Sequence, residues 1–486
     1  MRAFWLEQAL QREPTGCSPT LYGDISADVC IVGGGYTGLW TAIQLKQLKP
    51  DLGVVIVEAD ICGAGASGRN GGCMMSWATK YFTLERLFGE AEAIRLVKAS
   101  EQAIHDICAF CHKHNIDAQI RMDGTLYTAT NAAQVGSTDA VMAALKGIGA
   151  STWSTLPCEE VQRRAASRLH LAGMFSPVGA TVHPGLLVRG LRRVALEMGV
   201  RIFENTPMRK LEQGRPPIVH TAQGAVRANK VVLALNASMP ATFSQFRRTV
   251  VLVSSDMIIT EPRPDLLKRI GLDNGIAVMD SRIFVHYYRT TVDGRIMLGK
   301  GGNTFAFGAR MLRTFDEPSP CRPMLTDALH RFIPELREVP VAASWNGASD
   351  RSATGLPFFS RLNDHPDVVY GFGYSGNGVG PTYLGGQFLS SLALGLDNAW
   401  SRSPMARGPL GWFPPEPFRY IGSILVRDAV RRKERSEDIG RRPRWIDQRL
   451  SKLAAAAGKA DKESKRTRLD DAASRRASQK PVQAGH

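Results

Sequence analysis

The chain has 486 residues, 44% of them hydrophobic, and a formal net charge of +16, so it is long enough for two domains with their own cores. No apolar run approaches the roughly 18 residues of a membrane span, and the N-terminus has neither the apolar core nor the cleavage site of a signal peptide. We therefore expect a cytoplasmic protein without a membrane partner, in which the eight cysteines are reduced.

The first predicted elements form a βαβ unit. An apolar strand is followed by the spacing G-x-G-x-x-G, then by a helix, then by a second apolar strand that ends in an acid, Glu58. The glycines allow a tight turn, close approach of a pyrophosphate and close packing of the helix, whose N-terminus offers free N–H groups to phosphate. Glu58 is expected to bind ribose hydroxyls. The predicted phosphate-binding residues are Gly33, Gly35, Tyr36, Thr37 and Gly38. The unit predicts a dinucleotide site and leaves FAD and NAD both open.

The segment that follows, VEADICGAGASGRNGG at residues 57–72, consists largely of small residues but keeps Arg69 and Asn70. Glycine lets the backbone come close to a bulky ligand, and Arg and Asn offer several fixed hydrogen-bond donors. We therefore expect the loop to lie against a flat ligand rich in acceptors. An extended FAD needs such a track, whereas a nicotinamide cofactor has no obvious need of one.

The glycine spacing, Glu58 and GASGRNGG together resemble the D-amino acid oxidase superfamily of flavoenzymes, in particular its bacterial branch of glycine oxidase-like and gamma-glutamylputrescine oxidase-like proteins. The resemblance implies non-covalent FAD and an α/β fold with a Rossmann-like FAD-binding domain interleaved with an antiparallel-sheet substrate domain. The implied ranges are 25–85, 157–242 and 342–426 for the FAD-binding domain, 86–156 and 243–341 for the substrate domain, and 427–486 for a basic tail. The loop residues implied to run along the flavin are Ala66, Ser67, Gly68, Arg69, Asn70, Gly71 and Gly72.

A helical pattern from Leu84 to His114 contains the haem-attachment string C-x-x-C-H at Cys108, Cys111 and His112. Haem attachment normally requires export, for which the chain has no signal, and a zinc site would need a second pair of ligands. Apolar residues recur along the segment at helical spacing. We therefore expect a buried helix and no metal.

Two later segments also match the resemblance. A helix and a strand lead to Met208, whose family counterpart contacts the adenine through its backbone, and the strand KVVLALNA brings Asn236 beside the cofactor. A second G-x-G-x-x-G, at 371–376, has no strand after its helix, so we predict no second dinucleotide site. The resemblance instead directs that helix N-terminus at the pyrimidine end of the flavin, which is negative when reduced. The residues implied there are Gly376, Asn377, Gly378 and Val379, with Asn377 where family members often have His.

Residues 282–305, RIFVHYYRTTVDGRIMLGKGGNTF, alternate like a β-hairpin. One face carries His286 and the other Tyr287 and Arg289, and we expect one of these faces to look at the flavin. Arg289 is equally consistent with a structural role. By resemblance to lysines that family oxidases keep near the ring, Lys300 would help dioxygen accept electrons; the alternative is an ordinary surface lysine. The candidate catalytic residues of the hairpin are thus His286, Tyr287, Arg289 and Lys300.

In SWNGASDRSATGLPFF, residues 344–359, the family usually has Asp at the position of Gly355, and this chain instead presents Arg351 as a further candidate catalytic residue. The fork of an arginine suits a carboxylate or a phosphonate. The resemblance implies hydride transfer from the carbon next to an amine to FAD, hydrolysis of the imine to an aldehyde or keto acid, and reduction of O2 to hydrogen peroxide.

The whole sequence pattern looks most like a bacterial subgroup of aminophosphonate oxidases. That resemblance implies an anionic amine as substrate, either 2-aminoethylphosphonate or its N-methyl derivative. A polyamine conjugate such as gamma-glutamylputrescine, or an amino acid, is the alternative.

The last sixty residues carry 18 Lys/Arg and 9 Asp/Glu, and beyond about Leu453 they show no core-forming periodicity. We expect a solvated tail whose removal leaves FAD content and turnover unchanged. A basic tail also suits RNA, so a flavoprotein that holds RNA is the alternative from another class. The tail lacks the interleaved aromatic residues of a base-reading module, so nucleic acid is not the expected partner. No feature of the sequence indicates an oligomeric state.

Overall fold

The structure, a computed structural model, describes residues 2–13, 16–150 and 152–462. Within these residues the α-helices are α1 (Phe4–Gln11), α2 (Tyr36–Leu48), α3 (Tyr81–Phe88), α4 (Glu90–Lys113), α5 (Asp139–Gly147), α6 (Cys158–Ala165), α7 (Pro184–Glu197), α8 (Met239–Thr242), α9 (Pro264–Arg269), α10 (Arg322–Phe332), α11 (Pro381–Leu394), α12 (Phe418–Asp438) and α13 (Trp445–Lys452). The strands are β1 (Ile25–Val32), β2 (Val54–Val57), β3 (Cys73–Met74), β4 (Thr125–Ala129), β5 (Ser154–Leu156), β6 (Ala172–Ser176), β7 (Ala180–Thr181), β8 (Arg201–Phe203), β9 (Lys210–Glu212), β10 (Ile218–His220), β11 (Ala225–Leu233), β12 (Val250–Thr260), β13 (Ala277–Asp280), β14 (His286–Thr290), β15 (Ile296–Phe305), β16 (Val341–Ser352), β17 (Phe358–Arg361) and β18 (Val368–Phe372).

One sheet has the order β17-β18-β11-β1-β2-β8, with β10 and β9 continuing from β11. The neighbours from β18 to β8 in this order run parallel. Alternate residues of β1 and β2 pack into different apolar clusters: Ile31 and Ile56 lie in one, Val32 and Val57 in the other. The sheet is therefore buried on both faces, which explains its continuous apolar strands. The carboxyl ends of its strands meet at one edge, where such folds bind ligands.

The second sheet has the order β16-β12-β15-β14-β13-β4-β6-β5 and is antiparallel except between β13 and β4. The chain alternates between the two sheets, since β4–β6 and β12–β16 belong to the second and β8–β11 and β17–β18 return to the first. The predicted hairpin is confirmed as β14 and β15. The α/β class and the pairing of a parallel-stranded sheet with a largely antiparallel one agree with the fold expected from the sequence.

The predicted helix from Leu84 to His114 is two helices, because Gly89 between α3 and α4 adopts φ +82°. The C-x-x-C-H string lies on α4, with Cys111 in the main apolar core. In the described parts of the chain, no three His, Cys, Asp or Glu side chains come together as metal ligands. None of the helices in the described ranges is both long enough and apolar enough to cross a membrane.

The expectation of a solvated tail from Leu453 onward is wrong for residues 455–462. A short 3-10 turn, Ala455–Ala457, is followed by a stretch that packs beside α3. Thr79 Oγ1 donates to the Lys459 carbonyl at 2.8 Å, and Asp461 N donates to the Thr79 carbonyl at 2.7 Å. Ala460 is 2% exposed and belongs to an apolar cluster that lines part of the site described below. Residues 463–486 of the predicted tail lie outside the described residues.

Candidate active site

A cavity of about 430 Å³ lies where the carboxyl edge of the parallel-stranded sheet meets β12, β14, β15 and β16. It collects most of the residues predicted from separate parts of the sequence. Those in its lining are Gly33, Gly35, Tyr36, Thr37, Glu58, Ala66, Ser67, Arg69, Asn70, Gly71, Gly72, Met208, Asn236, Tyr287, Arg351, Gly376, Asn377, Gly378 and Val379. The predicted residues outside the lining are Gly38, Gly68, His286, Arg289 and Lys300.

One end of the cavity is formed by the turn between β1 and α2. Gly33 has φ +114°, and a Cβ on Gly38 would come within 2.0 Å of the Gly33 carbonyl oxygen, so the turn and the helix touch through backbone atoms. The N-cap residue of α2, Gly35, supplies no side-chain cap. Gly35, Tyr36 and Thr37 line the cavity, so the positive end of the helix dipole lies at its wall, where Tyr36 N donates to Ser67 Oγ at 2.8 Å. This geometry fits the pyrophosphate of a dinucleotide.

Glu58 stands at the end of β2, beside that turn. Its Oε2 accepts from Gly34 N at 2.7 Å and its Oε1 from Asp60 N at 3.0 Å. Burial raises the pKa of this carboxyl, while the two N–H donors oppose that rise. The carboxylate is thus fixed in orientation at the cavity wall, where it can accept hydrogen bonds from ribose hydroxyls.

The loop 66–72 is folded by the two side chains that the sequence singled out. Asn70 donates from Nδ2 to the Ser67 carbonyl and accepts from Gly72 N, both at 2.8 Å. Arg69 donates from Nε to the Ala64 carbonyl at 2.8 Å and pairs through Nη2 with Asp316 at 3.0 Å. These donors fold the loop and tie it to Asp316, which follows β15 in the chain, whereas the sequence suggested that they would face the ligand. The small residues between them leave the backbone close to the cavity.

Arg289 holds the same loop from outside the cavity lining. Its Nε donates to the Gly71 carbonyl at 2.7 Å and its Nη2 to the Val182 carbonyl at 2.9 Å. The guanidinium also lies 4.9 Å from the centre of the Trp5 ring. Of the two roles considered from the sequence, this geometry favours the structural one.

His286 and Lys300 lie on the side of the hairpin that faces away from the cavity. His286 Nδ1 is 2.8 Å from Asp280 Oδ2, and Lys300 Nζ donates to the Phe284 carbonyl at 2.7 Å. Burial lowers the pKa of His286 to about 4 and also lowers that of Lys300. The hairpin face that meets the cavity carries Val285 and Tyr287 instead.

Tyr287 and four neighbours form a less polar end of the cavity. The Tyr287 hydroxyl lies 3.2 Å from Ser255 Oγ. Burial raises the pKa of Tyr287, so this side chain is a neutral hydroxyl at physiological pH. Apolar side chains from three strands or loops surround the pair: Met257, Met279 and Val285. The arrangement suits a small organic molecule with one polar group.

Asp350 holds the turn that leads to α11. It accepts from Gly373 N and, at 3.4 Å, from Ser375 N. With its amide nitrogen toward Asp350, Asn236 donates to Oδ2 at 2.7 Å. Burial raises the pKa of Asp350 to about 6. This carboxyl joins three segments of the cavity wall, a role that the sequence did not reveal.

Arg351 and Lys459 meet at the same turn. Arg351 Nη1 donates to the Ser375 carbonyl at 2.6 Å, and Lys459 Nζ donates to the same oxygen at 3.2 Å. Ser349, two residues before Arg351 on β16, is buried in the lining, and its Oγ has no hydrogen-bond partner in the described structure. Sequence reasoning missed Ser349, which the strand period places on the face of Arg351. It also missed Lys459, for which the tail offered no periodic signal.

The chain that forms this cavity is similar to known flavoenzymes in both sequence and fold. The model of a family described as FAD dependent oxidoreductase (DAO) matches residues 28–392, which include every lining residue except Lys459. Gamma-glutamylputrescine oxidoreductase of Escherichia coli K12 is 29% identical over 418 residues, covering 85% of this chain and 95% of that protein. The solved glycine oxidase of Geobacillus kaustophilus has a TM-score of 0.65 at 20% identity, with 79% of this chain and 98% of that chain covered. L-proline dehydrogenase from P. horikoshii shares the fold with a TM-score of 0.64 at 18% identity, over 79% of this chain and 96% of that one.

Proposed function

The chain belongs to the DAO family of FAD-dependent oxidoreductases, and from this we propose that it oxidises a small amine that carries an anionic group. The substrate we propose is 2-aminoethylphosphonate or its N-methyl derivative, which yields phosphonoacetaldehyde. The observation that carries the proposal is the guanidinium of Arg351 in the cavity lining, beside the apolar end that contains Tyr287. Arginine forks match the oxygens of phosphonates and carboxylates.

The cavity fits FAD. The turn Gly33–Thr37 and the N-terminus of α2 would hold its pyrophosphate, Glu58 its ribose, and the backbone of loop 66–72 its extended remainder. The chemistry supplied by FAD bound there would be a hydride acceptor for the carbon next to the amine and a route for the electrons to dioxygen. The resulting imine of the substrate hydrolyses to the aldehyde.

The residues of the chain have three tasks in this reaction. Met257, Met279 and Val285 form an apolar surround that disfavours a charged amine, and a neutral nitrogen is the form that can release a hydride from its carbon. The Tyr287 and Ser255 hydroxyls, 3.2 Å apart, can orient that nitrogen. In the described residues both hydrogen bonds of Arg351 come from Nη1, so Nη2 is available to the anionic end of the substrate.

A polyamine conjugate is the second candidate, and the similarity to gamma-glutamylputrescine oxidoreductase supports it. Such a molecule, like an amino acid, offers a carboxylate to Arg351. The two candidates therefore share the reaction and the cation, and they differ in the length and charge of the substrate.

Peroxide formation with a panel of amines tests the proposal. We expect the purified holoenzyme to release hydrogen peroxide with aminophosphonates, with a kcat/KM at least about tenfold above that for gamma-glutamylputrescine or glycine. The reverse order would favour the second candidate. If the protein shifts RNA in a gel-shift assay and no amine gives peroxide, the result would instead support a flavoprotein that binds RNA.

We predict that FAD is bound without a covalent bond, although Cys73 lies in the cavity lining. Burial raises the pKa of this thiol to about 11, which leaves little of the nucleophilic thiolate at neutral pH. Acid precipitation should give a yellow supernatant and a colourless pellet. A pellet that stays yellow after washing would contradict this prediction.

A further inference from the structure

Residues 455–461, which we call the C-terminal strap, are anchored at the cavity by polar contacts. Asp461 accepts from Thr83 N at 2.8 Å and from Thr83 Oγ1 at 2.9 Å, and it pairs with Lys80 Nζ at 3.5 Å. Lys80 also donates to the Ala456 carbonyl at 3.3 Å. Together with the bonds between Thr79 and the strap backbone, these contacts fix the strap on the residues that begin α3. The strap is therefore part of the folded enzyme.

Glycines in the body of the enzyme make room for the strap. A Cβ on Gly355 would come within 2.5 Å of the Ala456 carbonyl oxygen, and a Cβ on Gly376 within 3.3 Å of Lys459 Nζ. Because the atom next to Gly355 is a backbone oxygen of the strap, a side chain at Gly355 would displace the strap. The strap itself lies beyond the family match, which ends at residue 392.

Two basic side chains, Arg351 and Lys459, line the cavity at this point. In the described residues neither Arg351 nor Lys459 makes a salt bridge, and both donate to the one carbonyl oxygen of Ser375. Of the nearby carboxylates, Asp461 pairs with Lys80, and Asp350 accepts from backbone N–H groups and attracts Arg351 without a direct ion pair. Burial and the neighbouring cations Arg351 and Lys80 hold the pKa of Lys459 well below its usual value. A bound anion would favour the charged form of Lys459 and so oppose this lowering of its pKa.

We propose that Lys459 and Arg351, with the Ser349 hydroxyl, form a two-cation site for the phosphonate group of the amine substrate, and that the strap is a permanent wall of the substrate cavity. This inference rests on the proposed function and narrows its substrate class. A phosphonate has three oxygens and carries up to two negative charges, so it can use both cations and the unpartnered Ser349 Oγ. A carboxylate has two oxygens and one charge, and Arg351 alone can satisfy it.

Binding of unreactive anions to the oxidised holoenzyme tests the site without turnover. Ethylphosphonate and propionate are titrated into the enzyme, and the change in the flavin absorbance spectrum gives each dissociation constant. We expect Lys459→Met to weaken ethylphosphonate about tenfold to a hundredfold and propionate by no more than about threefold. Lys459→Arg should restore most of the affinity for ethylphosphonate. Lys462→Met is the matched control, since Lys462 is exposed and donates to the Ser281 carbonyl at 2.8 Å, away from the cavity.

Two truncations test the role of the strap as a whole. A chain that stops after Leu453 should lose ethylphosphonate affinity as Lys459→Met does, whereas a chain that stops after Lys462 should bind it like the full chain. If the shorter chain does not fold, the Lys459→Met titration alone decides. Equal weakening of both anions by Lys459→Met, or no weakening of either, overturns the two-cation site.

The outcomes separate this inference from the proposed function. Tight ethylphosphonate binding that depends on Lys459, in an enzyme that oxidises no amine, would support the site and refute the proposed function. Rapid oxidation of 2-aminoethylphosphonate that is unchanged in Lys459→Met would leave the proposed function standing and overturn the site.

Discussion

Replacing Gly38 by alanine is expected to raise the dissociation constant for FAD by about two orders of magnitude. The added Cβ would lie 2.0 Å from the Gly33 carbonyl oxygen and 3.3 Å from Ile31 Cγ2. Since the first of these atoms is backbone, the turn and α2 must move apart, and overpacking of this kind costs about 1–3 kcal/mol. This movement would displace the backbone N–H groups that would face the pyrophosphate, and FAD would therefore bind more weakly. Equilibrium titration of the apoprotein with FAD, followed by flavin fluorescence, measures the effect.

Gly422→Ala is the matched control for this substitution. Gly422 lies inside α12, and apart from its neighbouring residues and the backbone of that helix, no described heavy atom would come within 4 Å of its Cβ. Alanine is favoured over glycine there by about 1 kcal/mol of helix propensity, so this variant should bind FAD like the parent and unfold at the same or a higher temperature. An unchanged FAD affinity in Gly38→Ala would show that the phosphates lie elsewhere.

Replacing Arg351 by alanine is expected to lower kcat/KM for 2-aminoethylphosphonate by about tenfold to a hundredfold, mainly through KM. A hydrogen bond to a charged group contributes about 1.5–3 kcal/mol, and its loss acts only on substrates that carry the charge. Arg351→Lys should recover part of the loss, since an ammonium cannot make the two-pronged contact. Steady-state peroxide assays give both constants.

Two controls show whether the effect of Arg351→Ala is specific to the substrate charge: a neutral amine and the same substitution at Arg289. Oxidation of n-propylamine, which has no anionic end, should change little in Arg351→Ala. Arg289→Ala should behave differently, because Arg289 holds the Gly71 and Val182 carbonyls, and it should release FAD. If Arg351→Ala affects both amines equally or releases the flavin, then Arg351 supports the turn at Ser375 and does not bind the substrate.

The sequence was most informative where function depends on backbone geometry. The glycine spacing and Glu58 predicted one end of the cavity, because a tight turn, a helix N-terminus and an acid at a strand end are local features. The strand period also predicted the hairpin of β14 and β15 and the opposite directions of His286 and Tyr287. Which of the two faces meets the cavity depended on how the second sheet packs on the first, and the sequence left that open.

The side chains at the cavity were harder to predict, because their roles depend on contacts between distant segments. Arg69 and Asn70 stood out as donors, and the structure uses them to fold their own loop and tie it to Asp316. Asp350 attracts attention in the sequence only as the neighbour of Arg351, yet it joins β16 to the turn before α11. Lys459 lies in a run of small and charged residues typical of a solvated tail, and only its contacts with the residues before α3 bring it to the site.

Anaerobic mixing of the holoenzyme with substrate tests directly whether the enzyme takes a hydride from an anionic amine. Without dioxygen, a substrate that gives its hydride to the bound flavin bleaches the yellow colour of the enzyme, and the bleached state persists. We predict rapid and complete bleaching by 2-aminoethylphosphonate or its N-methyl derivative, and much slower bleaching by n-propylamine at the same concentration. Bleaching that is equally fast with both amines, or absent with every anionic amine, would contradict it.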